Sequence, residues 1–235
     1  MSIAENVARI RADIEAAALA CGRDPGQIQL CAATKMNDAE AVRQAIAAGV
    51  DCCGENKVQE LTAKLAEDAY RGAPVHFIGH LQTNKVKQVV GKVDLIQSVD
   101  SLRLLEAINK EAARQGIRQD ILLEINIGRE ESKGGFLKEE ILPILEQMVK
   151  YPNVFVRGLM CIPPISLEPG NNSKFFQEIF NLSVDIKQKT YDNVSTDFLS
   201  MGMSDDFTDA IACGSNMIRI GTAIFGARNY AKPHQ

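Results

Sequence analysis

Residues 27–56 read QIQLCAATKMNDAEAVRQAIAAGVDCCGEN. Two short apolar runs, QIQLCAATK (27–35) and VDCCGEN (50–56), flank the segment DAEAVRQAIAAG (38–49), whose apolar residues recur at helical spacing. Strand, helix, strand is the unit that pairs strands in parallel, because a parallel neighbour is reached only through a crossover. The first run ends on Lys35. An amine at a strand end ordinarily reaches for solvent. Held at the rim of a pocket and desolvated, it becomes a nucleophile.

The same rhythm fills the rest of the chain. Further strand-like runs are PVHFIGH (74–80), DLIQSVD (94–100), QDILLEINI (119–127), VFVRGLMCI (154–162), TDFLSMG (196–202) and NMIRIGTAIFG (216–226). Helix-like segments lie between many of them, at 58–70, 101–116, 139–152 and 174–190. In SLRLLEAINKEAARQG (101–116), Leu104, Ile108 and Ala112 form a stripe and Gly116 supplies the stop.

Eight strands alternating with helices predict an α/β fold, a single (β/α)8 TIM-type barrel over residues 1–235, since closure leaves no unpaired edge. An open doubly wound sheet is the alternative. Only nine residues, ARNYAKPHQ, follow the eighth run, too few for a full eighth helix. The N-terminal segment 1–22, with Ile3, Val7, Ile10 and Ile14 at helical spacing and a Ser2/Glu5 capping box, is expected to occupy that outer place. Residues 230–235 form a tail. LEPGNNS (167–173) reads as a surface turn.

Composition narrows the partners. A net charge of −4 and a pI near 5.5 argue against nucleic acid. No apolar run approaches the roughly 18 residues that span a membrane, and charges interrupt the N-terminus too early for a signal peptide. The six cysteines form no CxxC and no zinc spacing, and most sit inside apolar stretches, where they read as small hydrophobes in a reducing cytoplasm. His76 and His80, which could share one strand face, lack a third ligand, and no metal is expected. The stretch EESK (130–133) reads as a solvated loop beyond a strand end, near enough to flank a site.

Barrel strands alternate inward and outward residues, and sites collect at their C-terminal ends. Parity puts Cys31, Ala33 and Lys35 on the inward face of the first strand, with Leu30 facing the helices. In the last strand Ile218 and Ile220 face out, so Arg219 and Gly221 face in. Closure sets these two strands side by side and brings Lys35 and Arg219 to one mouth. There Arg219 would meet either an interior carboxylate, such as Glu124 or Glu55, or a ligand. The loops SMGMSDD (200–206) and RIGTAIFG (219–226) offer Gly202 and Gly221 for close backbone approach and Ser200 and Thr222 as hydroxyl donors to a phosphate. Asp205 and Asp206 are expected to cap the helix that follows. An amine, an anion cradle and an arginine facing a ring nitrogen are the parts that pyridoxal 5′-phosphate requires.

The ordered landmarks AATK ending at Lys35, GENKVQE (54–60), HFIGHLQTNK (76–85), SVDS (98–101), NIGREESKGG (126–135), RGLMCIP (157–163), LSMGMSDDF (199–207) and MIRIGTAIFGAR (217–228) run along nearly the whole chain. Together they resemble the pyridoxal-phosphate homeostasis protein family, whose fold is similar to the N-terminal barrel of alanine racemase. The resemblance implies a reversible aldimine at Lys35, Asn56 near the cofactor, phosphate contacts from Ser200, Gly221 and Thr222, and Arg219 facing the pyridine nitrogen. Met36 and Lys57 stand where other members often carry threonine and tyrosine.

Three functions fit these parts. The resemblance implies a carrier that buffers or delivers the cofactor, passes it to apo forms of dependent enzymes, works as a monomer or weak dimer, and catalyses nothing itself. An amino-acid racemase is the alternative. It needs an acid–base group on each face of the ring, and the tail residue Tyr230 is a weak substitute for the tyrosine that a further domain would bring. A Schiff-base aldolase acting through Lys35 alone is the third.

Overall fold

The computed structural model describes residues 1–165 and 170–226. The turn-like stretch 167–173 lies partly outside these residues, and the tail with Tyr230 wholly so.

All eight strands form, as β1 (Gln29–Ala33), β2 (Cys52–Glu55), β3 (Val75–Phe77), β4 (Leu95–Val99), β5 (Gln119–Ile125), β6 (Val154–Cys161), β7 (Val194–Ser200) and β8 (Met217–Ile220). They pair in parallel and in chain order into a closed barrel, which excludes the open sheet. The seam between the ends of the chain is made by β1 and β8, with Leu30 opposite Ile218 and Cys31 opposite Arg219.

The helices are α1 (Ile3–Ala20), α2 (Ala39–Ala47), α3 (Val58–Ala66), α4 (Leu102–Gln115), α5 (Lys138–Glu146), α6 (Ser173–Lys187), α7 (Phe207–Ala212) and α8 (Thr222–Phe225). Between β3 and β4 the crossover is a short 3-10 helix, Thr83–Gln88. The eighth strand is shorter than its sequence pattern: the chain leaves the barrel at Gly221 and makes one helical turn. As expected, α1 covers this place. It packs on α7, α8 and α2, and Asn6 Nδ2 donates to the Ile224 carbonyl at 2.9 Å. Ser2 and Glu5 form the reciprocal cap at its start. Gly116 ends α4 in the left-handed conformation that glycine adopts without strain.

Two apolar layers result from strand parity. Leu30, Ala32, Cys53, Phe77, Ile96, Ile121, Ile218 and Ile220 face outward into the large core beneath the helices. Inside the barrel a smaller cluster gathers Cys31, Cys52, Leu95, Leu122, Met160 and Met217. Arg157, the fourth residue of β6, pairs with Asp120 at 3.1 Å and Asp197 at 2.7 Å. Among the described residues no helix is long and apolar enough to cross a membrane.

Candidate functional site

The strand C-termini form a mouth; of the predicted site residues Lys35, Asn56, Gly221 and Thr222 are partly or fully exposed there, whereas Ser200, Gly202 and Arg219 are buried. Lys35 stands two residues beyond β1, half-buried, and Asn56 one residue beyond β2. Ser200 ends β7, Arg219 is the penultimate residue of β8, and Gly221 and Thr222 follow that strand. In a closed barrel β7, β8, β1 and β2 are consecutive, so four strands from opposite ends of the chain share one arc. A Cβ on Gly221 would stand 3.3 Å from the Ala33 carbonyl oxygen, which measures how closely the β8 exit passes the end of β1.

Arg219 is buried inside this arc. Its Nη1 donates to Ser200 Oγ at 2.5 Å and its Nη2 to the Cys161 carbonyl at the end of β6 at 2.9 Å. Burial pulls its proton affinity below the usual guanidinium range, opposed by negative groups including Glu124. Ser200 in turn donates to Gln97 Oε1 at 2.6 Å, and Gln97 Nε2 lies 2.9 Å from His76 Nδ1. A polar chain therefore runs His76–Gln97–Ser200–Arg219 across the barrel interior. The sequence reading missed Gln97. Its signal was a lone amide in a strand whose residues are all buried.

Of the carboxylates considered for Arg219, Glu55 does not face it. Parity turns Glu55 outward with Cys53, where its Oε1 accepts from Lys64 Nζ at 2.5 Å, Thr34 Oγ1 at 2.5 Å and Tyr70 OH at 2.9 Å. Lys64 Nζ also donates to the Thr34 carbonyl at 2.8 Å. This buried ion pair clamps the backbone next to Lys35. Glu124 does share the interior with Arg219. Burial, then the nearby Asp100 charge, push its carboxyl up to about 7.

The glycines at the mouth have different reasons. Gly202 has φ +97°, and a Cβ there would stand 2.7 Å from Ala210 Cβ, so it lets α7 pack on the SMGM segment while its carbonyl accepts from Arg219 N at 3.0 Å. Gly79 passes under Asn56, where a Cβ would stand 2.2 Å from the Asn56 carbonyl oxygen. Asn56 Oδ1 is buried with no hydrogen-bond partner among the described residues.

Three local expectations are revised, on Asp206, the two histidines and the cysteines, while the 130–133 loop is largely solvated as expected. Asp206 does not cap α7 with its side chain. It turns back to accept from Met203 N at 2.7 Å and from Asn172 Nδ2 at 2.8 Å, and Asp205 is exposed. His76 and His80 do not share a strand face, because β3 stops at Phe77. His76 is interior, whereas His80 is exposed and meets Asp100 Oδ2 at 2.9 Å. The 130–133 loop is tied to the end of β5 through Asn126 Nδ2, which donates to the Glu130 carbonyl at 2.9 Å. The cysteines without linear metal spacing bring Cys31 and Cys52 together with His76. Hydrogen bonding with Cys52 lowers the Cys31 thiol to about 6 despite its burial, with His76 and Arg219 adding to the effect. The same pairing, with burial, raises Cys52.

A closed parallel barrel with a lysine, an arginine and glycine-rich turns at its mouth defines a class. Residues 3–229 match the model of the alanine racemase N-terminal domain, and the chain belongs to that family. Within it the chain is a member of the pyridoxal phosphate homeostasis proteins. It is 40% identical over 98% of its length to the whole of the protein of that name from Aquifex aeolicus, and 39% identical to the Escherichia coli K12 protein, covering 98% of each. Among solved structures, PipY of Synechococcus elongatus with PLP bound superposes with a TM-score of 0.82 at 33% identity, covering 96% of this chain and 100% of that one. An alanine racemase from Streptomyces coelicolor is similar at a TM-score of 0.73 and 17% identity, over 97% of this chain and 59% of that one, and shares the fold.

Proposed function

We propose that this protein binds pyridoxal 5′-phosphate at the barrel mouth and buffers or delivers it within the cell, with no catalytic turnover of its own. The observation that carries the reading is the convergence of Lys35, Asn56 and Arg219 on one arc of the mouth, with Asn56 Oδ1 buried and unpartnered among the described residues. The names of the relatives and the PLP-bound PipY structure support it, and those relatives are named as homeostasis proteins rather than as enzymes.

When bound, the cofactor supplies an aldehyde that condenses reversibly with a primary amine. Lys35 is the amine that holds it. The clamp of Glu55 and Lys64 on Thr34 fixes the turn that carries Lys35. Arg219 presents a guanidinium locked by Ser200 and Cys161 toward the ring nitrogen. A protonated guanidinium is a cation that can only donate, so it discourages a proton at that nitrogen and weakens the ring as an electron sink. Gly202, Gly221 and Thr222 hold the phosphate and Asn56 orients the ring, whereas Ser200, expected at the phosphate, gives its one proton to Gln97 and acts by anchoring Arg219. Handover goes to apo forms of dependent enzymes, from a monomer or weak dimer in the cytoplasm, in keeping with six free cysteines.

Two measurements test this. Borohydride reduction of the loaded protein followed by peptide mapping should place the adduct on Lys35, and Lys35→Ala should lose the visible absorption band while keeping a weaker, phosphate-driven affinity. Loaded protein mixed with an apo-enzyme should restore activity faster than the same amount of free cofactor. An adduct on another lysine would overturn the site, and absence of transfer would limit the function to storage.

A further inference from the structure

Beneath the mouth, the barrel interior holds ligating atoms that the cofactor reading leaves unused. Cys31, Cys52 and His76 come from three successive strands, and one ligating atom of each lies within 4.8 Å of the other two. Cys31 and Cys52 are direct partners in the β1–β2 register. All three residues are buried, at 0%, 1% and 6% exposure.

Their surroundings suit soft chemistry. Met217 and Met160 share the interior cluster with both cysteines, and Met217 Sδ lies 3.1 Å from Gln97 Nε2. Gln97 Nε2 donates to His76 Nδ1 at 2.9 Å, which fixes the imidazole plane and puts the ring proton on Nε2, so coordination through Nε2 requires the Gln97 amide to turn over and accept from Nδ1–H. With its oxygen turned to Nδ1–H, the Gln97 amide would stand where metal sites place the acceptor behind an imidazole ligand. Gly54 lets Cys31 and Ile78 pack against the β2 backbone, where a Cβ would stand 3.0 Å from Cys31 Sγ and 2.7 Å from Ile78 Cδ1. Metal–sulfur bonds of about 2.3 Å and metal–nitrogen bonds of about 2.0 Å set ligand atoms about 3.5–4 Å apart. Closing the trio around an ion therefore needs side-chain adjustments of under about 1 Å each.

We propose that Cys31, Cys52 and His76 form a buried site for one thiophilic d10 cation, best matched by monovalent copper. Each coordinating thiol gives its proton to bulk water as its sulfur–metal bond forms, and no electron is transferred. Two thiolates and a cuprous ion leave one negative charge, which the Arg219 guanidinium offsets from the position paired with Cys31. Zinc prefers four ligands, and among the described residues three ligating atoms come together here, whereas cuprous copper accepts three soft donors. The site is independent of whether the cofactor reading holds.

The experiment uses the full chain, loaded with cofactor and again without it, under anaerobic reducing conditions. Cu(I) and, separately, Zn(II) are offered in competition with a chromophoric chelator. The expected result is one Cu(I) retained per chain, with an X-ray absorption first shell of two sulfurs and one imidazole nitrogen. Cys31→Val and Cys52→Ala should each lower affinity at least tenfold, and Cys53→Ala, whose sulfur faces the helices, should leave it unchanged. Tighter retention of Zn(II), with a third sulfur in its shell, supports the same site with zinc as the occupant. The proposal is overturned if neither ion is held at one per chain. It is equally overturned if the wild-type shell lacks two sulfurs, a result that needs no variant to fold, or if Cys31→Val and Cys52→Ala bind as wild type does.

Discussion

Cys31 and Arg219, from opposite ends of the chain, are direct partners across the β1–β8 seam, and both face the barrel interior. That register sets the arginine beneath the turn carrying Lys35 and joins the mouth to the buried His76–Gln97–Ser200 chain. Four consequences follow for experiment.

Ser200 Oγ both accepts from Arg219 and donates to Gln97, fully buried. Ser200→Ala leaves a charged donor and an amide oxygen unpaired, and should cost about 1–3 kcal/mol in urea unfolding. Released from its anchor, Arg219 should also shift the absorption maximum of the loaded protein. A spectrum identical to wild type would show that the guanidinium does not sense the ring.

Lys64 and Glu55 form an ion pair whose side chains are only 7% and 0% exposed. Lys64→Met removes one partner and strands a buried carboxylate, at a cost of about 3–5 kcal/mol. The double variant Glu55→Leu/Lys64→Met should recover most of this loss, because paired removal leaves no orphan charge. Denaturant midpoints of the three proteins measure both effects. Recovery of stability without recovery of cofactor affinity would single out the clamp on Thr34 as positioning Lys35.

Gly79 has no room for a side chain beneath Asn56. Gly79→Ala should push the Asn56 backbone out of place and weaken cofactor binding at least tenfold, read by equilibrium dialysis. Asn56→Ala, which deletes the amide and leaves the backbone alone, should reproduce a good part of that loss. A Gly79→Ala protein of normal affinity would remove Asn56 from the site.

Glu124, raised to about 7 from 4.5, makes stability depend on pH. The folded chain holds this proton more tightly than the unfolded chain does. Its ionisation therefore destabilises the fold as pH rises from about 4.5 to about 7, with no further change above. Between pH 6 and pH 8 the cofactor-free protein should lose about 1 kcal/mol relative to Glu124→Gln. Denaturation of both proteins at the two pH values checks the sign, and parallel pH curves would contradict it.

Much of this was legible in the letters. Alternating apolar runs and helical stripes gave eight strands and the barrel, and the period of two put Cys31 and Arg219 on one face before any coordinates. Strand ends were overestimated where the pattern ran on past them, as in NMIRIGTAIFG, because Gly221 turns the chain out of the sheet while Ile224 stays buried under α1. Asp206 was misread for a related reason: a carboxylate before a helix favours capping, yet here Met203 N and Asn172 lie within its reach.

By itself the sequence determined the order of elements and the inward parity of the first and last strands, since these depend on periodicities local to the chain. Only the tertiary structure decided who meets whom across strands: that Glu55 is held by Lys64 and turned away from Arg219, that Gln97 links His76 to Ser200, and that Cys31, Cys52 and His76 converge. Those pairings follow from barrel closure and from the register of neighbouring strands. Such relations hold between distant segments and leave no spacing within any one of them.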